Sequence, residues 1–166
     1  NQILGKQLCV HYLDDWLFLG AKGQGQCNQA LTKFFALCKL LGIPIADEKT
    51  VLPCACLTFL GLEIDTVSQQ VRIPADKLVS CKARLQAIQG KCSISLHELQ
   101  SLLGFLNFIC RGVRGGRPFL QCLVNLTRGV TNKSQPIFMN QEALADIEMW
   151  LRFVEEYNGV TFFLPS

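Results

Sequence analysis

The sequence predicts an α+β fold: antiparallel hairpins with one helix, then a run of helices, then a short helix–strand end. Three observations carry this. Residues 8–19, Leu-Cys-Val-His-Tyr-Leu-Asp-Asp-Trp-Leu-Phe-Leu, set two adjacent carboxylates inside an apolar run rich in aromatic residues. Such a run reads as two buried strands with a turn between them. Near Pro74 hairpin-like runs give way to capped amphipathic segments. After the last helical segment, Val160 to Leu164 is again strand-like.

The elements follow in order. Leu19 to Gly25 is a glycine-rich exit from the first hairpin, without a phosphate-cradling pattern. From Gln26 to Leu41, Leu31, Phe34, Phe35, Cys38 and Leu41 fall on one helical face. Gly42 ends that helix and Pro44 prevents its restart. Ile43 to Thr50 reads as extended or turning, Leu57 to Asp65 as one strand, and Gln69 to Ile73 as its returning partner. Pro74-Ala75-Asp76 starts a helix with the stripe Leu78, Cys81, Leu85 and Ile88, stopped by Gly90. Ser95 and Glu98 form a capping box for a leucine-rich helix that carries Leu99, Leu102, Leu103, Leu106, Ile109 and Cys110. His97, in its first turn, reads as a solvated residue rather than a ligand. Arg111 to Pro118 is a flexible basic turn, Phe119 to Leu126 a short helix, and Thr131 to Pro136 the best linker. A last helix runs from about Gln141 to Tyr157, and Asn158-Gly159 turns into the final strand.

Composition narrows the classes. The chain has 166 residues, enough for one domain or two small ones. It is 49% hydrophobic and only 17% charged, below the charged share of about 25% usual for soluble domains. A core is affordable on that composition, and so is an apolar face that another surface covers. The net charge of +3 permits a nucleic-acid partner without arguing for one. The longest apolar stretch, Leu99 to Cys110, is too short and too interrupted to cross a bilayer. No signal-peptide pattern opens the chain. The nine cysteines are an odd number without C-x-x-C spacing, as expected of small buried hydrophobes in a reducing compartment. Cys54-x-Cys56, with Cys92 and His97 as distant partners, lacks zinc-ligand spacing. The expected location is intracellular, cytoplasmic or nuclear, with no membrane partner.

Asp14-Asp15 is the candidate site. Two like charges beside apolar strands are unfavourable unless a cation lies between them. Mg²⁺, which takes one or two carboxylates plus phosphates and water, suits acids on a rigid turn.

Three blocks, in this order, resemble reverse transcriptases. Tyr12-Leu13-Asp14-Asp15 resembles their Tyr-x-Asp-Asp signature, Leu41 to Thr50 the helix exit and lysine block, and Leu57 to Asp65 the primer-gripping hairpin. The likeness continues through Ile73 to Leu78 and the leucine-rich helix. The tail, Asp146 to Leu151 with Tyr157 to Val160, resembles the lead-in to the ribonuclease H domain of retrotransposon polymerases. DIRS-type, tyrosine-recombinase elements are the most similar. The resemblance implies a C-terminal palm part over 1–73, a helical thumb over 74–133, and over 134–166 a connection with the first strand of a truncated ribonuclease H-like domain. It implies that Asp14 and Asp15 hold Mg²⁺ or Mn²⁺ and that Lys49 approaches the leaving pyrophosphate. It places Tyr12 and Leu13 under the primer terminus and nucleotide, and Phe59, Leu60 and Gly61 in the primer grip. The implied partners are an RNA or DNA template with primer, deoxynucleoside triphosphates, and the rest of the polymerase.

Departures from the family's pattern bound that expectation. The palm's other metal-binding aspartate, the fingers and the ribonuclease H acids have no counterpart among these residues, so the chain by itself is expected to be inactive. Position 16 is Trp, and positions 54 and 56 are Cys. The alternative is a non-catalytic or domesticated remnant that binds nucleic acid or protein. Lys77, Lys82, Arg84, Arg111, Arg114, Arg117 and Arg128 are the candidate phosphate contacts, against the reading that they form solvated faces.

Overall fold

A computed structural model describes residues 8–21, 23, 25–156 and 160–162. The fold is mixed α and β, as the sequence predicts, and divides into two compact units, Asn1–Leu60 and Gly61–Ser166.

In the first unit β1 (Leu8–Tyr12) and β2 (Asp15–Leu19) form an antiparallel ribbon. Helix α1 (Gln26–Leu41) follows, with the bounds its apolar spacing predicts. Its end is a Schellman motif. Gly42, at φ 68°, donates its N–H to Lys39 O, and Ile43 N–H donates to Cys38 O at 2.9 Å. The segment expected to be extended or turning contains a 3-10 turn, Asp47–Lys49. Strand β3 (Cys56–Phe59) closes the unit. The expectation of buried strands fails here: Val10, Trp16 and Leu19 are exposed, and Ala30 and Cys38 are this unit's only buried hydrophobics among the described residues.

The expected strand from Leu57 to Asp65 is two strands. Leu60 and Gly61 take φ 49° and 78°, a left-handed pair that no continuous strand accommodates. Glycine suits 61 on a second count, because a Cβ there would lie 3.1 Å from the Phe108 ring, a tight contact.

In the second unit β4 (Leu62–Asp65) pairs with β5 (Gln70–Arg72), as predicted, and β5 pairs on its other side with β8 (Val160–Phe162). Arg72 bonds Glu63 across the β4–β5 pair and reaches Asp65 at 3.6 Å. Asp65 also accepts the N–H groups of Val67 and Ser68, and the Ser68 bond is the main reason its carboxyl is held below the ordinary value. Helix α2 (Ala75–Ile88) buries Cys81, Leu85 and Ile88 from the predicted stripe. Helix α3 (Leu96–Ile109) starts at the predicted capping box, with Glu98 N–H donating to Ser95 Oγ and Ser95 N–H to Glu98 Oε2.

The ribbon of β6 (Ser93–Ser95) with β7 (Pro136–Phe138) was not foreseen. It places the expected linker inside the second unit, where Lys133 O and Gln135 O accept the first amides of α3. The basic stretch after α3 is likewise not a loose turn. Arg114–Leu120 is 3-10, Gly112, Val113 and Gly116 are buried, and α4 (Gln121–Leu126) follows. The reason is Trp150 on α5 (Gln141–Glu156), which is fully buried and donates Nε1–H to Phe119 O at 3.2 Å. The predicted turn at Asn158-Gly159 and the last two residues of the predicted strand, Phe163 and Leu164, lie outside the described residues.

The core consists of Ile73, the inward stripes of α2, α3 and α5, Ile94, Ile137 and Met139 at the β6–β7 ribbon, and Val113, Leu120 and Leu123. Losing a buried Trp typically costs about 3–5 kcal/mol, against about 1 kcal/mol for a helix cap. Trp150 therefore outweighs the Ser95–Glu98 box in holding this unit. A Cβ at Gly116 would lie 2.3 Å from a Trp150 ring carbon, whereas one at Gly104, within α3, meets nothing. Gly116→Ala should lower stability in urea denaturation by about 1–3 kcal/mol through overpacking. Gly104→Ala should raise it by about 0.5–1 kcal/mol. Equal effects would show that Trp150 does not set the packing here.

Candidate functional site

The Asp14-Asp15 site is built from strand alternation. Tyr12 faces Asp15, His11 faces Trp16, and Leu13-Asp14 is the two-residue turn. Asp14 is thus in the turn as expected, while Asp15 opens β2. Leu13 has φ 51°, the positive value that primed hairpin turns need at their first central residue.

Alternation divides the ribbon into two faces. Cys9, His11, Trp16 and Phe18 share one, and Val10, Tyr12, Asp15 and Leu17 the other. On the first face His11 stacks on Trp16 with centroids 4.8 Å apart, Trp16 meets Phe34 of α1 at 4.9 Å, and Phe18 meets Phe34 at 5.3 Å. Cys27 Sγ, also on α1, lies 3.8 Å from Phe18 O. Gly20 permits that approach, since a Cβ there would lie 2.9 Å from Cys27 Sγ. Trp16, one of the departures from the family pattern, is therefore the anchor between ribbon and helix. Its place immediately after the acid pair, with His11, Tyr12 and Phe18 in the same short stretch, was the available signal.

With one face anchored, the other presents Tyr12 and Asp15 outward and the turn presents Asp14. Tyr12 is 59% and Leu13 78% exposed, and both aspartates are exposed. Neither carboxylate has an ion pair or side-chain hydrogen bond among the described residues, and no group of three or more acid, His or Cys side chains converges as a metal cage among them. The pair thus presents two hard oxygen donors in adjacent positions, Asp14 in the turn and Asp15 at the start of β2.

The other predicted residues are dispersed along the chain. Lys49 ends the 3-10 turn and is exposed; the turn is held by Lys49 N–H to Ala46 O and Thr50 N–H to Asp47 O. Phe59 and Leu60 are half-buried in the first unit, and Gly61 begins the second. Of the basic candidates, Lys82 bonds Glu155 at 2.5 Å and Lys77 lies 3.6 Å from Asp76. Arg84 lies over Phe105, 4.6 Å from its centroid, and bonds Ser101. Arg111 lies over Phe108. Arg117 and Arg128 are exposed, and the Arg114 side chain lies outside the described ones. These aromatic seats are what the sequence reading of the basic residues missed. Phe105 and Phe108 were legible only as part of the leucine-rich helix.

No family model matches the chain. It is 30% identical over 139 residues to the Gag-Pro-Pol polyprotein of bovine leukemia virus, covering 82% of the chain and 9% of that protein. It is 28% identical over 145 residues to the Gag-Pro-Pol polyprotein of simian retrovirus SRV-2, covering 84% of the chain and 7% of that protein. The chain thus spans less than a tenth of the length of these relatives. Among solved structures, the dRH form of the foamy viral protease-reverse transcriptase in complex with double-stranded DNA matches with TM-score 0.64 and 21% identity, over 93% of this chain and 25% of that one. The foamy viral protease-reverse transcriptase in complex with an RNA/DNA hybrid matches with TM-score 0.61 and 22% identity, over 93% of this chain and 19% of that one. Sequence and fold likenesses together support a reverse-transcriptase-related region.

Proposed function

We propose that the chain is the part of an RNA-directed DNA polymerase that carries its Tyr-x-Asp-Asp hairpin, acting in nucleotide addition to a primer by two-metal phosphoryl transfer. The observation that carries this reading is the tip of the β1–β2 ribbon, with Asp14 in a two-residue turn, Asp15 beside it, and both exposed. Two adjacent carboxylates without a competing cationic partner among the described residues fit Mg²⁺ or Mn²⁺. Asp14 and Asp15 would hold it. A divalent cation supplies positive charge at the attacking 3′ hydroxyl and at the leaving oxygens. Tyr12 and Leu13 flank the acids and offer an exposed surface for the primer end and the incoming nucleotide. Lys49 would supply charge toward pyrophosphate, and Phe59, Leu60 and Gly61 would grip the primer. The palm, thumb and connection divisions at 1–73, 74–133 and 134–166, and DIRS-type descent, belong to the same proposal. The quoted sequence blocks support them.

The foamy viral protease-reverse transcriptase is seen with double-stranded DNA and with an RNA/DNA hybrid, and we extend that partner class to this chain. Arg84 and Arg111, seated on aromatic rings, and the basic residues around them meet phosphates, which position a duplex without reading its sequence. Lys77 and Lys82 already have carboxylate partners, and counting only the two ring-seated cations, Arg84 and Arg111, gives about two net phosphate contacts, with a log–log salt slope near −0.9 each. Affinity for a primer–template duplex in a fluorescence titration should therefore fall about tenfold between about 50 and 200 mM salt. Salt-independent affinity would contradict this.

Two carboxylates are part of a two-metal ligand set, and no third acid converges on them among the described residues. The 166-residue chain should therefore show no primer extension with Mg²⁺ and matched nucleotide. Supplying the finger and upstream palm segments of a related polymerase in trans should restore extension, and Asp14→Asn should abolish it again. Extension by the chain alone would overturn the ligand argument. Failure in trans, with duplex binding intact, would favour the second reading, a non-catalytic nucleic-acid-binding module.

A further inference from the structure

Away from the hairpin, one cluster of titratable groups is not used by the proposed chemistry. Asp146 on α5 has its Oδ2 shut off from solvent, with no hydrogen-bond partner among the described residues. Glu142 lies four positions earlier, on the same face of the helix. From α4, Cys122 Sγ lies 3.9 Å from Glu142 Oε2 and also faces Asp146. One S–H donor thus serves two carboxylates. With both ionised, two like charges sit a turn apart and a buried oxygen goes unsatisfied, which is unfavourable on both counts. A proton on Asp146 removes one charge and supplies the missing donor.

The other charges on elements packed against α5 do not resolve the shortage. On α4 the remaining polar side chains, Gln121 and Asn125, bond each other. Arg117, on the 3-10 segment, is exposed and acts on Cys110. Lys82, on α2, is engaged by Glu155, farther along α5.

We propose that Asp146 is a proton-operated latch on the seam between α4 and α5, closed when Cys122, Glu142 and Asp146 share two protons and loosened when they share one. Burial raises the Asp146 carboxyl above its ordinary value; the Cys122 bond opposes this and the Glu142 charge adds to it. The Cys122 thiol is also raised, first by burial, so its S–H persists through the working range. For an acid raised on folding, the stabilising contribution is complete below the unfolded value. It is lost as pH climbs through the folded one. The latch therefore closes in acid and loosens toward neutrality.

Hydrogen exchange of the α4 amides in the full chain, corrected for intrinsic rates, tests this between about pH 4.5 and about pH 7.5. Native protection of Gln121–Leu126 should fall about tenfold over that range, near the low end of what leaving a buried oxygen unsatisfied costs. In Asp146→Asn it should stay at the acid-side level throughout. In Glu142→Gln the transition should persist but move to lower pH, because the neighbouring charge is gone. A native slope retained in Asp146→Asn, or no slope in the native chain, overturns the proposal. So does a slope that disappears only in Glu142→Gln, which would identify Glu142 as the titrating group.

Discussion

The Asp14-Asp15 tip depends on one contact, the aromatic stack that pins one face of the β1–β2 ribbon to α1. A lone two-stranded ribbon is marginal in water. This one gains its support from Trp16 and Phe18 against Phe34, with His11 stacked outside Trp16. Aromatic pairs of this kind add about 0.5–1.5 kcal/mol each beyond the area they bury. Because side chains alternate, fastening His11, Trp16 and Phe18 to the helix forces Tyr12 and Asp15 to the opposite face. The departure at position 16 therefore has a structural account: Trp16 anchors the ribbon face opposite Tyr12 and Asp15.

The two units are held by different means. The second has a contiguous core in which α2, α3 and α5 bury their stripes around a fully buried Trp150. The first buries only Ala30 and Cys38 among its described hydrophobics and leaves Leu40, Leu41, Ile43, Val51 and Leu52 exposed. On an area argument, the free energy of the chain is concentrated in the second unit. The first relies on its aromatic stack and on local devices such as the Schellman motif at Gly42.

Much of this was legible because it is local. The bounds of α1, the Ser95–Glu98 box and the turn at the acid pair each follow from a few neighbouring residues. What was not legible depends on distant partners or on unusual backbone. Strands β6 and β7 are three residues each and pair across about forty positions of chain, too short to show a period of two. The segment 114–120 has the composition of a loop but lies under Trp150, where Gly116 is needed for contact rather than flexibility. The break at Leu60 needs a leucine with positive φ, which no propensity suggests. At the hairpin the turn at Asp14 was readable, while the place of Asp15 at the start of β2, the aromatic seats of Arg84 and Arg111 and the unsatisfied oxygen of Asp146 appear only in three dimensions.

The central claim is that Asp14 and Asp15 are a cation-binding pair and not merely a solvated turn. Mn²⁺ titration followed by paramagnetic broadening of backbone amide resonances tests it most directly. The account predicts that Leu13 to Trp16 broaden at lower Mn²⁺ than the amides around the exposed pairs Asp47-Glu48 and Glu155-Glu156, and that Asp14→Asn removes this preference. Broadening no stronger at the hairpin than at those two pairs, or unchanged in Asp14→Asn, would contradict it.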